Sequence, residues 1–313
     1  MAEASAYPPP SYLDPGTLLQ IGSLELRARA VVEGFFAGLH RSPYHGFSVE
    51  FTEYRQYVPG DDPRRLDWRL YARSDRYFVK QYEDETNLRC HLVVDNSRSM
   101  AFGSLEYSKA DYAKTLCATL GYFLHTQRDA VGLVLVDEKI DAFIPARHRT
   151  GQFRRIVHAL ERPPAGRSTQ INDSLEQVAQ RVHKRGVIVL VSDFLAPLDS
   201  LSTHLTYLGA RGHDIIAFQV LDPAELSFEL GEPTLLRDME SGREVFVDPD
   251  QSRAAYQEKL GDHLRTLESI ALERGVALHR VTTDTPLELP LREFLDGRQR
   301  AAGAARRAGN HSR

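Results

Sequence analysis

Leu92-Val93-Val94-Asp95-Asn96-Ser97-Arg98-Ser99-Met100 runs from an apolar stretch of strand length directly into the pattern Asp-x-Ser-x-Ser. The apolar half predicts a buried strand over Arg89 to Asp95, and the polar half a tight loop at its carboxyl end. Asp95, Ser97 and Ser99 stand at alternate positions of that loop. One carboxylate and two hydroxyls can therefore converge on a divalent cation that prefers hard oxygen ligands. A hydrogen-bonded turn or a helix cap uses the same residues, so the reading depends on partners elsewhere in the chain.

Outward from this stretch, strands and helices alternate. Lys109 to Gln127 reads as a helix with Ala113, Leu116, Cys117, Leu120, Phe123 and Leu124 on one face. Val131 to Val136 is a second strand, and Ile140 to Pro145 returns as an antiparallel edge strand, because proline is excluded from a sheet interior. Helices follow at about Thr150 to Leu160 and Ile171 to His183. Val187-Ile188-Val189-Leu190-Val191 is a continuous apolar run, as expected of a parallel strand covered on both faces. A helix near Leu198 to Leu208, a strand from Asp214 to Val220, a hairpin within Phe228 to Val247, a helix from Arg253 to Arg274 and a strand from Val276 to Val281 complete the series. The expected fold class is α/β, with a mainly parallel central sheet flanked by helices and right-handed crossovers.

Ligands of such sheets sit at the carboxyl ends of strands, near the point where strand order reverses. Two further oxygen-bearing residues fall on loops of that kind. Val191-Ser192-Asp193-Phe194 leaves the strongest strand with Asp193 at its tip, and Gly166-Arg167-Ser168-Thr169 opens the helix at Ile171 with the Thr169 hydroxyl. Each alone reads equally as a helix cap. Asp95, Ser97, Ser99, Thr169 and Asp193 together form a candidate metal site.

Composition sets the setting. The 313 residues are 42% hydrophobic and 26% charged, enough for one large core or two modest ones in an ordinary water-soluble protein. No run reaches the roughly 20 apolar residues of a membrane span, and no secretory leader is evident, so a cytoplasmic location is expected. Cys90 and Cys117 read as reduced core residues. The formal charge of −4 includes five arginines from Arg298 to Arg313, which leaves −9 on the remainder, so no nucleic-acid partner is expected.

The five site residues, in this order on this strand and helix pattern, resemble the metal-ion-dependent adhesion site of a von Willebrand factor A domain. The resemblance implies a Rossmann-like fold and a bound Mg²⁺, with Ser97 and Ser99 as direct ligands and Thr169 direct or through water. Asp95 and Asp193 would act mostly through waters and hydrogen bonds. One coordination position would be left for a carboxylate from a partner. Upstream, Gly46-Phe47-Ser48-Val49-Glu50-Phe51, then Glu53 through Trp68 with Pro59-Gly60-Asp61-Asp62 and Arg64-Arg65 in its midst, then Ala72-Arg73, resemble the signature of the domain of unknown function 58 family. That resemblance implies a partner role beside a MoxR-type AAA+ ATPase, in chaperone-like assembly or metal insertion.

The expected organisation is a signature extension over 1–86, a von Willebrand factor A-like domain over 87–297 with a β-hairpin insertion near 226–250, and a basic, disordered tail over 298–313. Arg64, Arg65, Arg69, Arg73 and Arg76 alternate with Asp61, Asp62, Asp67 and Asp75, a pattern suited to ion pairs that brace the extension, and Trp68 reads as a core anchor. Arg147-His148-Arg149-Thr150-Gly151 precedes a helix and reads as a solvated basic loop, with anion binding as its alternative. His125, His158 and His183 lack metal-ligand spacing. No Gly-x-Ser-x-Gly elbow and no phosphate loop with lysine occurs, so the expected function is a non-enzymatic, Mg²⁺-dependent protein-binding module without catalytic residues. The alternative is a metal-dependent hydrolase acting on a phosphoester.

Overall fold

A computed structural model describes residues 13–41, 53–56, 78–81, 88–137, 139–162, 171–228, 234–237 and 244–298. Two N-terminal helices come first, of 5 and 18 residues. α1 (Pro15–Leu19) starts at Asp14, whose carboxylate accepts the Thr17 amide, with proline at the first helical position. α2 (Leu24–Arg41) buries Ala28, Val31, Val32 and Phe35. Neither helix is announced by the sequence reading.

The chain divides into two compact units. One holds the described residues up to Phe36 together with those from Leu88 onward, and the other is Ala37–Asn87. In the second unit β1 (Glu53–Gln56) and β2 (Phe78–Gln81) pair antiparallel, Glu53 opposite Gln81. The arginine/aspartate block, Trp68 and Thr169 lie outside the described residues.

The first unit is built on a six-stranded sheet. In chain order it uses β3 (Arg89–Asp95), α3 (Lys109–Thr126), β4 (Ala130–Val136), β5 (Ile140–Arg147), α4 (Gln152–Leu160), α5 (Ile171–Arg181), β6 (Val187–Ser192), α6 (Leu201–Ala210) and β7 (Asp214–Leu221). α7 (Pro223–Ser227), the hairpin β8 (Thr234–Arg237) and β9 (Glu244–Val247), α8 (Pro249–Glu273), β10 (Ala277–Thr282) and the final helix α9 (288–298) follow. The spatial order is β10-β7-β6-β3-β4-β5. All neighbours are parallel except β4 and β5, so the Pro145 strand is the antiparallel edge that the sequence predicts. β8 and β9 form their own two-stranded sheet.

Strand alternation divides the core between the two faces. Val93, Ile188, Leu190, Ile215 and Ala217 join Leu175, Val178, Leu205, Leu208 and Leu267 of α5, α6 and α8 in one buried cluster. Leu92, Val94, Val189, Val191 and Phe218, one residue out of phase, are buried on the strands whose neighbour is α3. Each aliphatic side chain so buried contributes roughly 1.5–3 kcal/mol, which explains why a continuous apolar run such as Val187–Val191 must sit between two helix layers. Cys90 and Cys117 are free and buried. Among the described residues no helix is long and apolar enough to cross a membrane.

The order of the strands creates the crevice. From β3 the chain moves to β4 and β5 on one side, then crosses to β6, β7 and β10 on the other. Strand order therefore reverses between β3 and β6, and the loops leaving their carboxyl ends diverge there.

Candidate metal centre

Asp95 and Asp193 leave these two adjacent strands. Val94 pairs with Val191 in the parallel register, which sets Asp95 beside the Ser192-Asp193 exit. The ladder runs one step further on the other side, where the Asn96 amide donates to the Val136 carbonyl at 2.7 Å. Beyond it the chain turns into a short 3₁₀ segment, Arg98–Ala101, that begins at Ser97. The Ser97 amide donates to Asp95 Oδ1 at 2.9 Å, and the Ser97 and Ser99 hydroxyls lie 3.1 Å apart. The turn is present as read: Asp95 closes it, and the turn brings the two hydroxyls together.

Ser192 locks the other carboxylate oxygen. Its hydroxyl donates to Asp95 Oδ2 at 2.6 Å and accepts the Phe194 amide at 3.0 Å. Phe194 has a left-handed backbone, φ 51°, which a side chain with a Cβ resists. Burial of its ring in the core and the 2.6 Å contact between its carbonyl and the His263 Nε2 donor hold it there. This bend sets Asp193, whose Oδ1 accepts the Leu195 amide at 3.1 Å and whose carbonyl accepts Gln219 Nε2 at 3.0 Å. No helix starts at Asp193; α6 begins only after Ser200. Its carboxylate is a loop-closing group and not a helix cap.

Lys109 completes the arrangement and escaped the sequence reading. Its ammonium donates to Asp193 Oδ2 at 2.8 Å and to Glu225 Oε1 at 2.6 Å, with the side chain fully buried. Lys109 is the first residue of α3, inside the Ser108–Asp111 capping box, where the helix dipole disfavours a positive charge. Only the two carboxylates make that position tenable. Burial would lower the Lys109 pKa, but Asp193 and Glu225 more than offset it and hold the ammonium above its ordinary value. Glu225 comes from α7, which opens with its own capping box: Glu225 Oε2 accepts the Asp222 amide at 2.9 Å and Asp222 Oδ1 accepts the Ala224 amide. Asp222 also accepts the Ser104 amide at 2.8 Å and the Ser104 hydroxyl at 2.5 Å. Two signals for this network stand in the sequence: a lysine at a helix N-terminus, and Asp222-Pro223-Ala224-Glu225 directly after an apolar strand.

Burial weighs on the carboxylates of the site. Burial first, then the Asp193 charge, pushes the Asp95 carboxyl up to about 6, against the hydrogen bonds from Ser192 and Ser97. Burial likewise raises Glu225, with Lys109 opposing it. A divalent cation near Asp95 and Asp193 would reverse this penalty. Among the described residues no group of three or more His, Cys, Asp and Glu side chains is arranged to hold a metal directly. The donor set nevertheless fits Mg²⁺: two converging hydroxyls flanked by two carboxylates, all hard oxygen. Asp95, Ser97, Ser99 and Asp193 are thus brought to one end of the sheet, and Thr169 lies outside the described residues.

The other candidates stay apart from this centre. Arg147 ends β5, and residues 148–151 form an exposed loop, with Gly151 left-handed at φ 78° before α4 and Arg149 donating to Gln152 Oε1. His125 is half-buried against Phe153 and His148, while His158 and His183 are exposed.

The family described as Protein of unknown function DUF58 matches residues 53–266. An uncharacterized protein of Mycobacterium bovis is 30% identical over 309 residues, covering 94% of this chain and 95% of its own. Among solved structures, the conserved hypothetical protein BatB from Bacteroides thetaiotaomicron superposes with a TM-score of 0.46 at 14% identity, over 68% of this chain and 99% of its own. The SpRpn10 VWA domain gives 0.38 at 13% identity, over 64% and 92%.

Proposed function

We propose that this chain, which belongs to the DUF58 family, is a non-enzymatic protein-binding module whose Asp95, Ser97, Ser99 and Asp193, joined by Thr169, hold Mg²⁺. The observation that carries this reading is the meeting of the Ser97 and Ser99 hydroxyls, 3.1 Å apart, with two buried carboxylates at the switch point of the sheet. Bound there, Mg²⁺ would supply an electrophilic position for a carboxylate from a partner protein. Few direct carboxylate ligands would leave that position attractive.

The residues of the chain do the rest. Asp95 orients the Ser97 turn, Ser192 fixes Asp95, and Lys109 fixes Asp193. Lys109 is ion-paired on two sides and so is not a free base for a nucleophile, which favours binding over hydrolysis. The partner class is the MoxR-type AAA+ ATPase implied by the family resemblance, with a role in chaperone-like assembly or metal insertion in the cytoplasm.

Co-precipitation of the full chain with such an ATPase, in Mg²⁺ and in EDTA, tests the reading with wild type and Asp95→Ala. Capture is expected to require both the cation and Asp95. Capture indifferent to both would remove the adhesion mechanism, and phosphoester turnover that needs Asp95 would replace it with a hydrolase.

A further inference from the structure

The network around the site holds four buried or half-buried carboxylates, Asp95, Asp193, Asp222 and Glu225, and Lys109 pairs with two of them, Asp193 and Glu225. Asp95, Asp193, Asp222 and Lys109 are at most 2% exposed, and the Glu225 side chain is 13% exposed. Water therefore screens these charges little, and each change of one unit is felt across the cluster. Lys109 does not approach from solvent: its backbone N–H donates to the Phe102 carbonyl at 2.9 Å, and its ammonium is clamped between Asp193 at the exit of β6 and Glu225 in the first turn of α7. It is a permanent internal cation beside a site read as cation-binding.

We propose that Lys109 is the affinity-setting residue of the divalent-cation site: by like-charge repulsion its ammonium keeps cation binding weak, while the Leu195 amide holds Asp193 Oδ1 in place when the ammonium is removed. The inference rests on the reading that Asp95, Ser97, Ser99 and Asp193 hold a divalent cation. One consequence is that the loops stay assembled without the cation, because Lys109 already supplies part of the positive charge the carboxylates need. Another is that a weakly held cation gains proportionally more from an incoming partner carboxylate. Occupancy would then follow the partner as well as the metal.

A charge role has a signature that a packing role lacks, because removing either member of the Lys109–Glu225 pair must move affinity in opposite directions. Lys109→Met removes the repelling charge while keeping the aliphatic stem, and Glu225→Gln removes an attracting one. Mn²⁺ binding to the full chain, measured by titration calorimetry and by the loss of the free-ion electron paramagnetic signal, is expected to tighten on the order of tenfold in Lys109→Met. It should weaken by a similar factor in Glu225→Gln and return near wild type in the double variant. Weaker or unchanged binding by folded Lys109→Met overturns the proposal. If Lys109→Met does not fold, Glu225→Gln decides alone: tighter or unchanged binding overturns it.

Failure of the underlying reading looks different. Wild type silent toward Mn²⁺ would refute the proposed Mg²⁺-dependent function itself, whereas wild type that binds Mn²⁺ no more weakly than Lys109→Met would overturn the charge role alone. Silence in every variant would overturn both.

Discussion

Asp95 shows how much chemistry one residue can concentrate. Its two oxygens take the Ser97 amide and the Ser192 hydroxyl, and its carboxyl is nevertheless pushed up to about 6 by burial and by Asp193. Ser192→Ala deletes one of the three hydrogen-bonding groups that favour the charged form and leaves a buried acceptor short of a donor. Urea unfolding at pH 8 should show a loss of about 1–3 kcal/mol. An unchanged midpoint would mean that water replaces the hydroxyl. The residues legible beforehand, Asp95, Ser97, Ser99 and Asp193, are those whose geometry is set within a few positions of a strand end. Ser192 was visible beside Asp193 but silent, because only its partner on the neighbouring strand gives it a role.

At the scale of elements, the strands of the six-stranded sheet were read almost to their ends because burial demands uninterrupted apolar residues, and α3 because its apolar positions recur with the helical period, while β1 and β2 were not read. α1, α2, α7 and α9 were not read. α7 is five residues long and rests on its capping box, a signal too short for periodicity to register. The edge pairing of β4 and β5 depends on Gly132, where a Cβ would stand 2.6 Å from both the Ala146 nitrogen and the Ile144 oxygen, at a register shift between Val131 and Leu133. Backbone atoms cannot yield as a flexible side chain does. Gly132→Ala is expected to destabilise the protein by about 2–3 kcal/mol and to raise amide exchange in β5 before β3; equal exchange in both strands would contradict a local edge defect.

For the whole molecule, pH acts through opposing buried groups. Burial, then His213, then Arg89 lowers the His91 pKa from 6.5 to about 4, so His91 is neutral in the folded protein. A depressed folded value means that this stability is present above pH 6.5 and is lost as pH falls toward 4, an effect on the order of 3 kcal/mol. Asp95, raised from 3.8 to about 6, works in the opposite direction over nearly the same window, since its penalty is relieved as pH falls. The two nearly cancel, so the wild-type profile alone is uninformative. Comparison with His91→Leu isolates the histidine: between pH 7.5 and 4.5 the variant should gain most of that 3 kcal/mol relative to wild type in urea unfolding. Parallel profiles would show that His91 is not buried neutral.

Arg298 marks a similar limit of local reading. Sequence composition assigns it to a basic tail, yet it ends α9 and pairs with the fully buried Asp129 at 3.2 Å. By itself the sequence determined the α/β class, the antiparallel proline edge and the Asp-x-Ser-x-Ser turn, because apolar periodicity and short-range hydrogen bonds are written in neighbouring residues. Only the tertiary structure decided that Lys109 meets Asp193 and Glu225, 84 and 116 positions away, at the reversal of strand order. A buried charge is tolerated only where its counter-charges arrive, and their arrival depends on strand order and register, which no local pattern encodes.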